Sequence, residues 1–398
     1  MGTFMPSMNG VAASRGVRPF SASGRPLLLS PVTFREVTAR NRIMVSPMVT
    51  YRAREGFAND WHLVHLGQFA LGGAGIVCME ATKVERRGRG SVGDCGLWND
   101  AQIEPLRRIT AFLKDHGAVP AIQINHAGRK AHIKRPWEGF GPADRGDTIE
   151  GEDHWEPIGP SPIAPFPGWP TPHELTTSEV RETVMSWAHA ARRAHEAGFD
   201  ILEVHAAHGY LIHSFLSPAA NQRKDEYGGS FEGRTRFAIE VAEAIRKEWP
   251  LHKPLFFRLS VEDEAGWSLD DSVALAALLK RRDVDAIDCS SGGIGLRSPT
   301  AQVMSRRLGF QVPLARELRR RADIATIAVG LIIEAQQAED ILQRGDADLI
   351  AVAREVLYNP SWPAHAAQQL GCDPDFEQFA QPYGWWLKRR AEAGFTRE

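Results

Sequence analysis

Cysteine is scarce in this chain: four among 398 residues (Cys78, Cys95, Cys289 and Cys372), with no CxxC pair. That argues against a thiolate-bound iron–sulfur cluster or zinc knuckle and fits free thiols in a reducing, cytoplasmic compartment. No apolar stretch approaches the length of a membrane span. Charge of one sign is also missing, since 47 Lys and Arg against 49 Asp and Glu leave a formal net charge of −2. Neither nucleic acid nor an anionic membrane is therefore expected as a partner. Met1–Leu29 contains no acidic residue, and its Arg15, Arg18 and Arg25 stand among Gly, Ser and Pro. A transit peptide shares that composition but needs an amphipathic helix, which Pro6, Gly10, Gly16 and Pro19 interrupt. No apolar h-region follows the arginines. Residues 1–29 read as a flexible N-terminal extension.

What is present is a strict alternation. Apolar content of 43% and charged content of 24% are those of a soluble globular protein. Short Val-, Ile- and Ala-rich runs fall at Ile43–Ser46, Gly75–Glu80, Val119–Asn125, Ile201–His205, Leu255–Ser260, Ala286–Cys289, Thr326–Val329 and Leu349–Val352. Such runs predict strands buried on both faces. Helical spacing occupies 61–72, 101–116, 177–197, 231–249, 269–282, 311–321, 333–344 and 360–370. Ser178 stands before an acidic first turn, and Gly198 and Gly345 stand where helices should end. Eight strand–helix pairs predict an α/β fold, a (β/α)8 TIM barrel, over residues 30–375. No GxGxxG follows the first strand, against an open dinucleotide-binding sheet. Lys134–Glu174, after the third strand, is rich in Pro and Gly and carries Trp137, Phe140, Trp155, Phe166 and Trp169. A loop of that length predicts a cap over the barrel mouth, covering substrate or a subunit contact, or else simply packed on the body. Residues 376–398 form a C-terminal arm.

In such barrels the reactive groups come from the C-terminal ends of the strands. The first strand leads into Pro47, Met48, Val49, Thr50 and Tyr51, and the second offers Ala81. The third contributes Gln123, with His126, Arg129 and Lys130 beyond it. His205, His208 and Tyr210 follow the fourth, and Arg258 lies within the otherwise apolar fifth. The sixth ends in CSSGG, the seventh at Gly330, and the eighth at Ala353 and Arg354. Each has a dull explanation by itself, as a structural histidine, a buried ion pair or a turn glycine. Eight strand ends of one barrel, however, share one small space. Gly330 lets backbone approach a phosphate closely, and Arg354 supplies a guanidinium suited to its oxygens. Gln123 offers a donor and an acceptor to a heteroaromatic edge, and Arg258 places positive charge beside an electron-rich ring. A phosphate-bearing flavin, FMN, is the economical occupant.

The motifs SPM at 46–48, EA at 80–81, GLWND at 96–100, QINHAGRK at 123–130, EVHAAHGYLIHSFLSP at 203–218, NQRKDEYGGSFEGR at 221–234, RLS, DCSSGG, AVG and AREVL follow in order. Together they resemble the old yellow enzyme family of FMN-dependent ene-reductases, and within it the thermophilic-like bacterial branch. The resemblance spans about residues 26–386. It implies an FMN barrel reduced by NADPH or NADH that then reduces an activated C=C bond in a small molecule. By resemblance, His205 and His208 donate hydrogen bonds to the substrate's carbonyl or nitro oxygen, and Tyr210 protonates the α-carbon. Two N–H donors suit the charge that hydride addition builds on an oxygen, and a phenol can protonate the resulting enolate. Pro47, Met48, Ala81, Gln123 and Arg258 would contact the flavin ring; Gly330, Ala353 and Arg354 would hold its phosphate. Tyr51 and Val49 would line the substrate pocket. No metal is expected. A homo-oligomer, dimer or tetramer, is expected.

Rival readings are a flavin barrel of the same family acting as dehydrogenase or isomerase, and a flavin-binding protein without redox work. The larger iron–sulfur branch needs cysteines that this chain lacks, and a phosphosugar barrel needs a central lysine or carboxylate base, for which no strand end supplies an obvious candidate. Two positions depart from the branch. Val49 replaces its usual cysteine near the flavin, and the C-terminal PYGWWLKRR puts Tyr383 and Trp385 where relatives carry a subunit-crossing arginine. Val49→Cys is expected to shift the flavin midpoint potential, measured by dye-coupled titration. An unchanged potential would place Val49 away from the ring.

Overall fold

The computed structural model describes residues 25–139, 141–143, 154–295 and 307–395. A hairpin of β1 (Val32–Phe34) and β2 (Val37–Ala39) precedes the strands β3 (Ile43–Val45), β4 (Ile76–Lys83) and β5 (Val119–Asn125). A two-residue pair, β6 (Ile158–Gly159) and β7 (His173–Glu174), stands apart. Then come β8 (Ile201–Ala206), β9 (Leu255–Ser260), β10 (Ala286–Ser290), β11 (Ala325–Ala328) and β12 (Leu349–Val352). Strands β3, β4, β5, β8, β9, β10, β11 and β12 close into one parallel barrel, with β12 returning to β3. The (β/α)8 architecture expected from the alternating pattern is thus present.

Helices fill the crossovers. They are α1 (Asp60–Leu71), α2 (Ile103–Asp115), α3 (Thr177–Glu196), α4 (Leu211–Leu216), α5 (Phe231–Glu248), α6 (Leu269–Lys280), α7 (Val312–Ala322) and α8 (Ala335–Gln343). After β12 follow α9 (Arg354–Tyr358), α10 (Trp362–Gln369) and α11 (Gln381–Glu392). Their starts are chemically marked. Asn59 caps α1 by accepting from the Trp61 amide, and Ser268 caps α6. The α3 cap is Thr176, which exchanges hydrogen bonds with Glu179; Ser178 lies inside the first turn instead of capping it. Gly198 takes φ +90°, left-handed, just past that helix, where a Cβ would also approach Thr110.

Two interleaved cores follow from the period-two alternation of side chains. Val77, Ile122, Ile124, Leu202, Val204, Phe257, Leu259 and Ile287 pack outward with the helices. Ile76, Ala121, Ile201, Phe256, Ala286 and Leu349 pack inward as the apolar floor of the cylinder. One step up the same strands, Gln123, Glu203, Arg258 and Asp288 replace apolar side chains, all but Arg258 almost wholly buried. One step further lie His205, Ser260 and Ser290 at the mouth. The interior therefore turns from oil to polar within a few residues.

The β1–β2 hairpin, unmarked in the strand pattern, plugs the floor. Phe34 meets Phe256 edge-on with ring centroids 5.1 Å apart. Arg35 at the turn donates to Asp285 at 2.7 Å and to the Leu251 carbonyl at 2.7 Å. Just before it, Leu27–Leu29 form a buried helical turn, and the Leu27 and Leu28 amides donate to the Glu339 carboxylate at 2.9 and 2.8 Å. The expected extension therefore does not reach residue 29; its residues 1–24 lie outside the described residues, as do Phe140 and 144–153 of the expected capping loop. Phe34→Ala should cost about 3–5 kcal/mol of stability by opening a cavity at the floor. A shift of the urea midpoint at constant slope would report it; an unshifted midpoint would show the plug to be dispensable.

Candidate active site

His205, next to the last residue of β8, has its side chain inside the mouth, and the loop beyond carries His208 and Tyr210 back over it. The His205 and His208 ring centroids are 5.1 Å apart, and His205 and Tyr210 are 4.9 Å apart, both edge-on. Hydrogen bonds set the tautomers. The Ala207 amide donates to His205 Nδ1 at 3.2 Å, so the His205 proton belongs on Nε2, which faces His208 Nδ1 at 3.3 Å. His208 Nε2 then donates to Ser290 Oγ at 2.6 Å. Burial, and each ring's neighbouring positive groups, hold both imidazoles well below their usual 6.5, so both are neutral N–H donors at pH 7. Loss of water pushes the Tyr210 phenol up to about 12, with the Asp94 carboxylate adding to the shift, so it keeps its proton.

The loop is held in an unusual form. His208 has φ +59°, and its carbonyl accepts from Lys130 Nζ at 2.7 Å while its amide donates to Ser260 Oγ at 3.0 Å. Lys130 also donates to the Gly293 carbonyl at 2.5 Å, tying the loops after β5, β8 and β10 together. Burial pushes the Lys130 ammonium down to about 7. Lys130 and Lys83 lie 5.9 and 5.8 Å from the centre of the Tyr210 ring, and Lys83 faces Asp94 at 3.5 Å. His126 and Arg129 take structural parts: His126 Nδ1 accepts from the Gly128 amide, and Arg129 donates to the Ile294 carbonyl.

The segment after β3 is pinned from β4. Glu80 Oε2 accepts from the Thr50 amide at 2.9 Å and from its hydroxyl at 2.7 Å, which fixes the half-buried Pro47, Met48, Val49 and Tyr51 around it. Ala81 follows Glu80 where β4 bulges between Met79 and Thr82. Tyr51, φ +57°, meets Trp137 edge-on at 5.6 Å. Of the other loop aromatics, the Trp155 indole donates to the Arg89 carbonyl, and Phe166 lies 5.3 Å from Lys130 Nζ.

A profile of the NADH:flavin oxidoreductase / NADH oxidase family matches residues 27–373. The chain belongs to that family. An NADPH dehydrogenase of Geobacillus sp. (strain WCH70) is 43% identical over 349 residues, 87% of this chain and 95% of that protein. One of Bacillus cytotoxicus is 40% identical over 90% of this chain and 97% of its own. Among solved structures, the old yellow enzyme homologue from Zymomonas mobilis has a TM-score of 0.71 and 25% identity, covering 90% of this chain and 98% of that one. Morphinone reductase has a TM-score of 0.69 and 26% identity, covering 88% and 91%. The 2-naphthoyl-CoA reductase complex has a TM-score of 0.76 and 27% identity over 88% of this chain, which spans only 53% of that longer one.

Family membership makes this a flavin-linked oxidoreductase with FMN as cofactor, and the residues present fit that group. Among the described residues, Arg258 Nε, Ser46 Oγ and both amide atoms of Asn125 are buried without hydrogen-bond partners, an unusual density of spare donors and acceptors at strand ends. Gln123 spends one N–H on Glu203 at 2.7 Å and keeps its other groups. At the ends of the neighbouring strands β11 and β12, Gly330 has φ +109°, and an added Cβ would come 2.6 Å from Gln311 Oε1. Ala353 and the exposed Arg354 open α9 beside it.

Sequence reasoning passed over several residues here. Glu203, Asp288 and Glu80 sit within strand runs whose apolar character hid them, Lys83 lies just past one, and Ser290 was quoted only as part of CSSGG; their period-two register with Gln123, His205 and Arg258 was the available signal. His62, Glu80 and Cys95 form another buried group, with ligand-type atoms within 4.8 Å of one another. The Asn59 amide donates to His62 Nδ1 at 3.1 Å, which puts the ring proton on Nε2 toward Cys95 Sγ at 3.2 Å, where a metal would need a lone pair. The group reads as a hydrogen-bonded brace behind Thr50. Burial lowers His62 to about 4, so its stabilising effect is complete above 6.5 and is lost as pH falls toward about 4. Urea unfolding should therefore weaken across that window, and His62→Gln should make the fall shallower by one proton's worth. An identical slope in the variant would exclude a buried neutral His62.

Proposed function

We propose that this protein reduces activated C=C bonds of small molecules, namely α,β-unsaturated aldehydes and ketones, nitroalkenes and maleimides, at the expense of NADPH or NADH. When bound, FMN supplies the hydride. The observation that carries the reading is the convergence of two neutral imidazoles and one protonated phenol over the barrel mouth.

The chain's own residues then divide the work. An acceptor oxygen competes for the Nε2–H of His205, whose 3.3 Å contact to His208 is long, and for the Nε2–H of His208. Both donors are fixed in advance, His205 by a strand and His208 by Lys130 and Ser260, so little reorganisation is needed as charge builds on that oxygen. Tyr210 holds the proton that the adjacent carbon receives. Pro47, Met48, Ala81, Gln123 and Arg258 would hold the flavin ring, and Gly330, Ala353 and Arg354 its phosphate. Tyr51, Val49 and Trp137 form the outer wall for substrate. The exposed Tyr383, Trp385 and Trp386 of α11 offer an apolar face by which copies would associate as a dimer or tetramer.

Tyr210→Phe should slow alkene reduction by roughly 10²–10⁴-fold while leaving NADPH-driven flavin reduction within a few-fold, both read by stopped flow. Equal loss in the two half-reactions would remove the proton-donor role. His205→Ala with His208→Ala should abolish the long-wavelength absorbance band of bound phenols, and a retained band would dismiss the oxyanion site.

A further inference from the structure

Beneath the histidines lies a carboxylic acid that the proposed reaction leaves unused. Glu203 is fully buried inside the barrel, two residues below His205 on β8. Its Oε1 accepts from Gln123 Nε2 at 2.7 Å, while its Oε2 has no hydrogen-bond partner among the described residues. The groups that face it from the neighbouring strands are Cys78 on β4, Gln123 on β5, Arg258 on β9 and Asp288 on β10. Arg258 is already committed, its guanidinium lying 3.0 Å from Asp288 Oδ2. The layer thus holds one cation and two carboxyl groups, and only Asp288 touches the cation.

We propose that Glu203 is a neutral acid in the resting protein, that it fixes the Gln123 amide against the flavin edge, and that its proton occupancy is coupled to the flavin's redox state. An ionised Glu203 would leave a second carboxylate with only an amide partner in a dry interior, an arrangement that proteins avoid by keeping the proton. Asp288 has the guanidinium and Glu203 does not, so the proton sits on Glu203. In agreement, burial first and the Asp288 charge second push the Glu203 carboxyl up to about 8. Glu203 Oε1 accepts one N–H of Gln123 and so anchors the amide toward β8, and the amide's own Oε1 and second N–H remain for the cofactor. Negative charge gained by the flavin beside Gln123 and Arg258 makes Glu203 hold its proton more firmly. By reciprocity, the protonated acid makes that reduction more favourable, and ionised Glu203 opposes it.

The inference rests on the flavin assignment, and its test separates the two. Flavin midpoint potential is measured on wild-type and Glu203→Gln holoenzyme from about pH 6 to about pH 10. The wild-type potential should fall, above about pH 8, with one more proton per two electrons than free FMN in the same buffers. Glu203→Gln, permanently neutral, should follow the free-FMN slope throughout. The infrared spectrum of wild-type holoenzyme at neutral pH should contain a buried carboxylic C=O band that shifts on flavin reduction, a readout that stands even if the variant folds poorly. For positioning, Glu203→Leu should weaken FMN binding about tenfold while Glu203→Gln binds as wild type does, the difference of one buried hydrogen bond. A common potential slope in both proteins, or no such infrared band, would overturn the coupling; FMN bound equally by the leucine variant would overturn the positioning. Wild-type protein that takes up no FMN would instead strike the flavin assignment itself.

Discussion

A closed eight-stranded sheet sends every second side chain into an interior that water does not freely enter, and the rest of this molecule answers to that constraint. Near the floor the answer is hydrocarbon: Ile76, Ile201, Phe256 and Leu349 fill the cylinder, and the β1–β2 hairpin seals it. Toward the mouth the same register positions carry Gln123, Glu203, Arg258 and Asp288. Polar groups in such a place must be paired, neutralised or reserved for a ligand. Arg258 and Asp288 are paired, and Glu203 is neutralised. Arg258 Nε and Asn125 are among those left over, and the proposed flavin site would take up that surplus.

Much of this frame was legible in the chain. The eight apolar runs mark the eight barrel strands to within a few residues, because strands buried on both faces leave a continuous signature. The eight helices that the spacing marks are equally readable, since their polar outer faces, caps and terminal glycines are local features; α4, α9 and α11 were left unmarked. The hairpin was not: three-residue strands such as Val32–Phe34 are too short for periodicity, and they are held by docking on Phe256 and by the bonds of Arg35 to Asp285 and the Leu251 carbonyl. Leu27–Leu29 were lost for a similar reason, because the partner that orders them, Glu339, lies more than three hundred residues away in the chain.

The candidate site was legible in its types and not in its supports. His205, His208 and Tyr210 stand where a strand ends, and the structure brings them within ring contact. Their motif says nothing of which nitrogen carries a proton. That follows from Ala207, Ser290 and the left-handed turn at His208, none of which composition reveals. Likewise Glu80 looks like an ordinary strand residue until Thr50 is found hanging from it. Reactive residues announce themselves by chemistry; the groups that aim them depend on contacts made across the fold.

Lys130 joins three loops through two carbonyl oxygens, that of His208 and that of Gly293. Barrel enzymes diversify because each loop at the rim can be rebuilt separately, yet here a single ammonium couples the turn bearing an imidazole donor to the loop beyond β10. Exchanging that loop for another would slacken His208 even if the new segment never met the ligand. In this protein, a change of specificity through the loop beyond β10 would have to keep a main-chain oxygen at one fixed point, and the freedom of the rim is narrower than its architecture suggests.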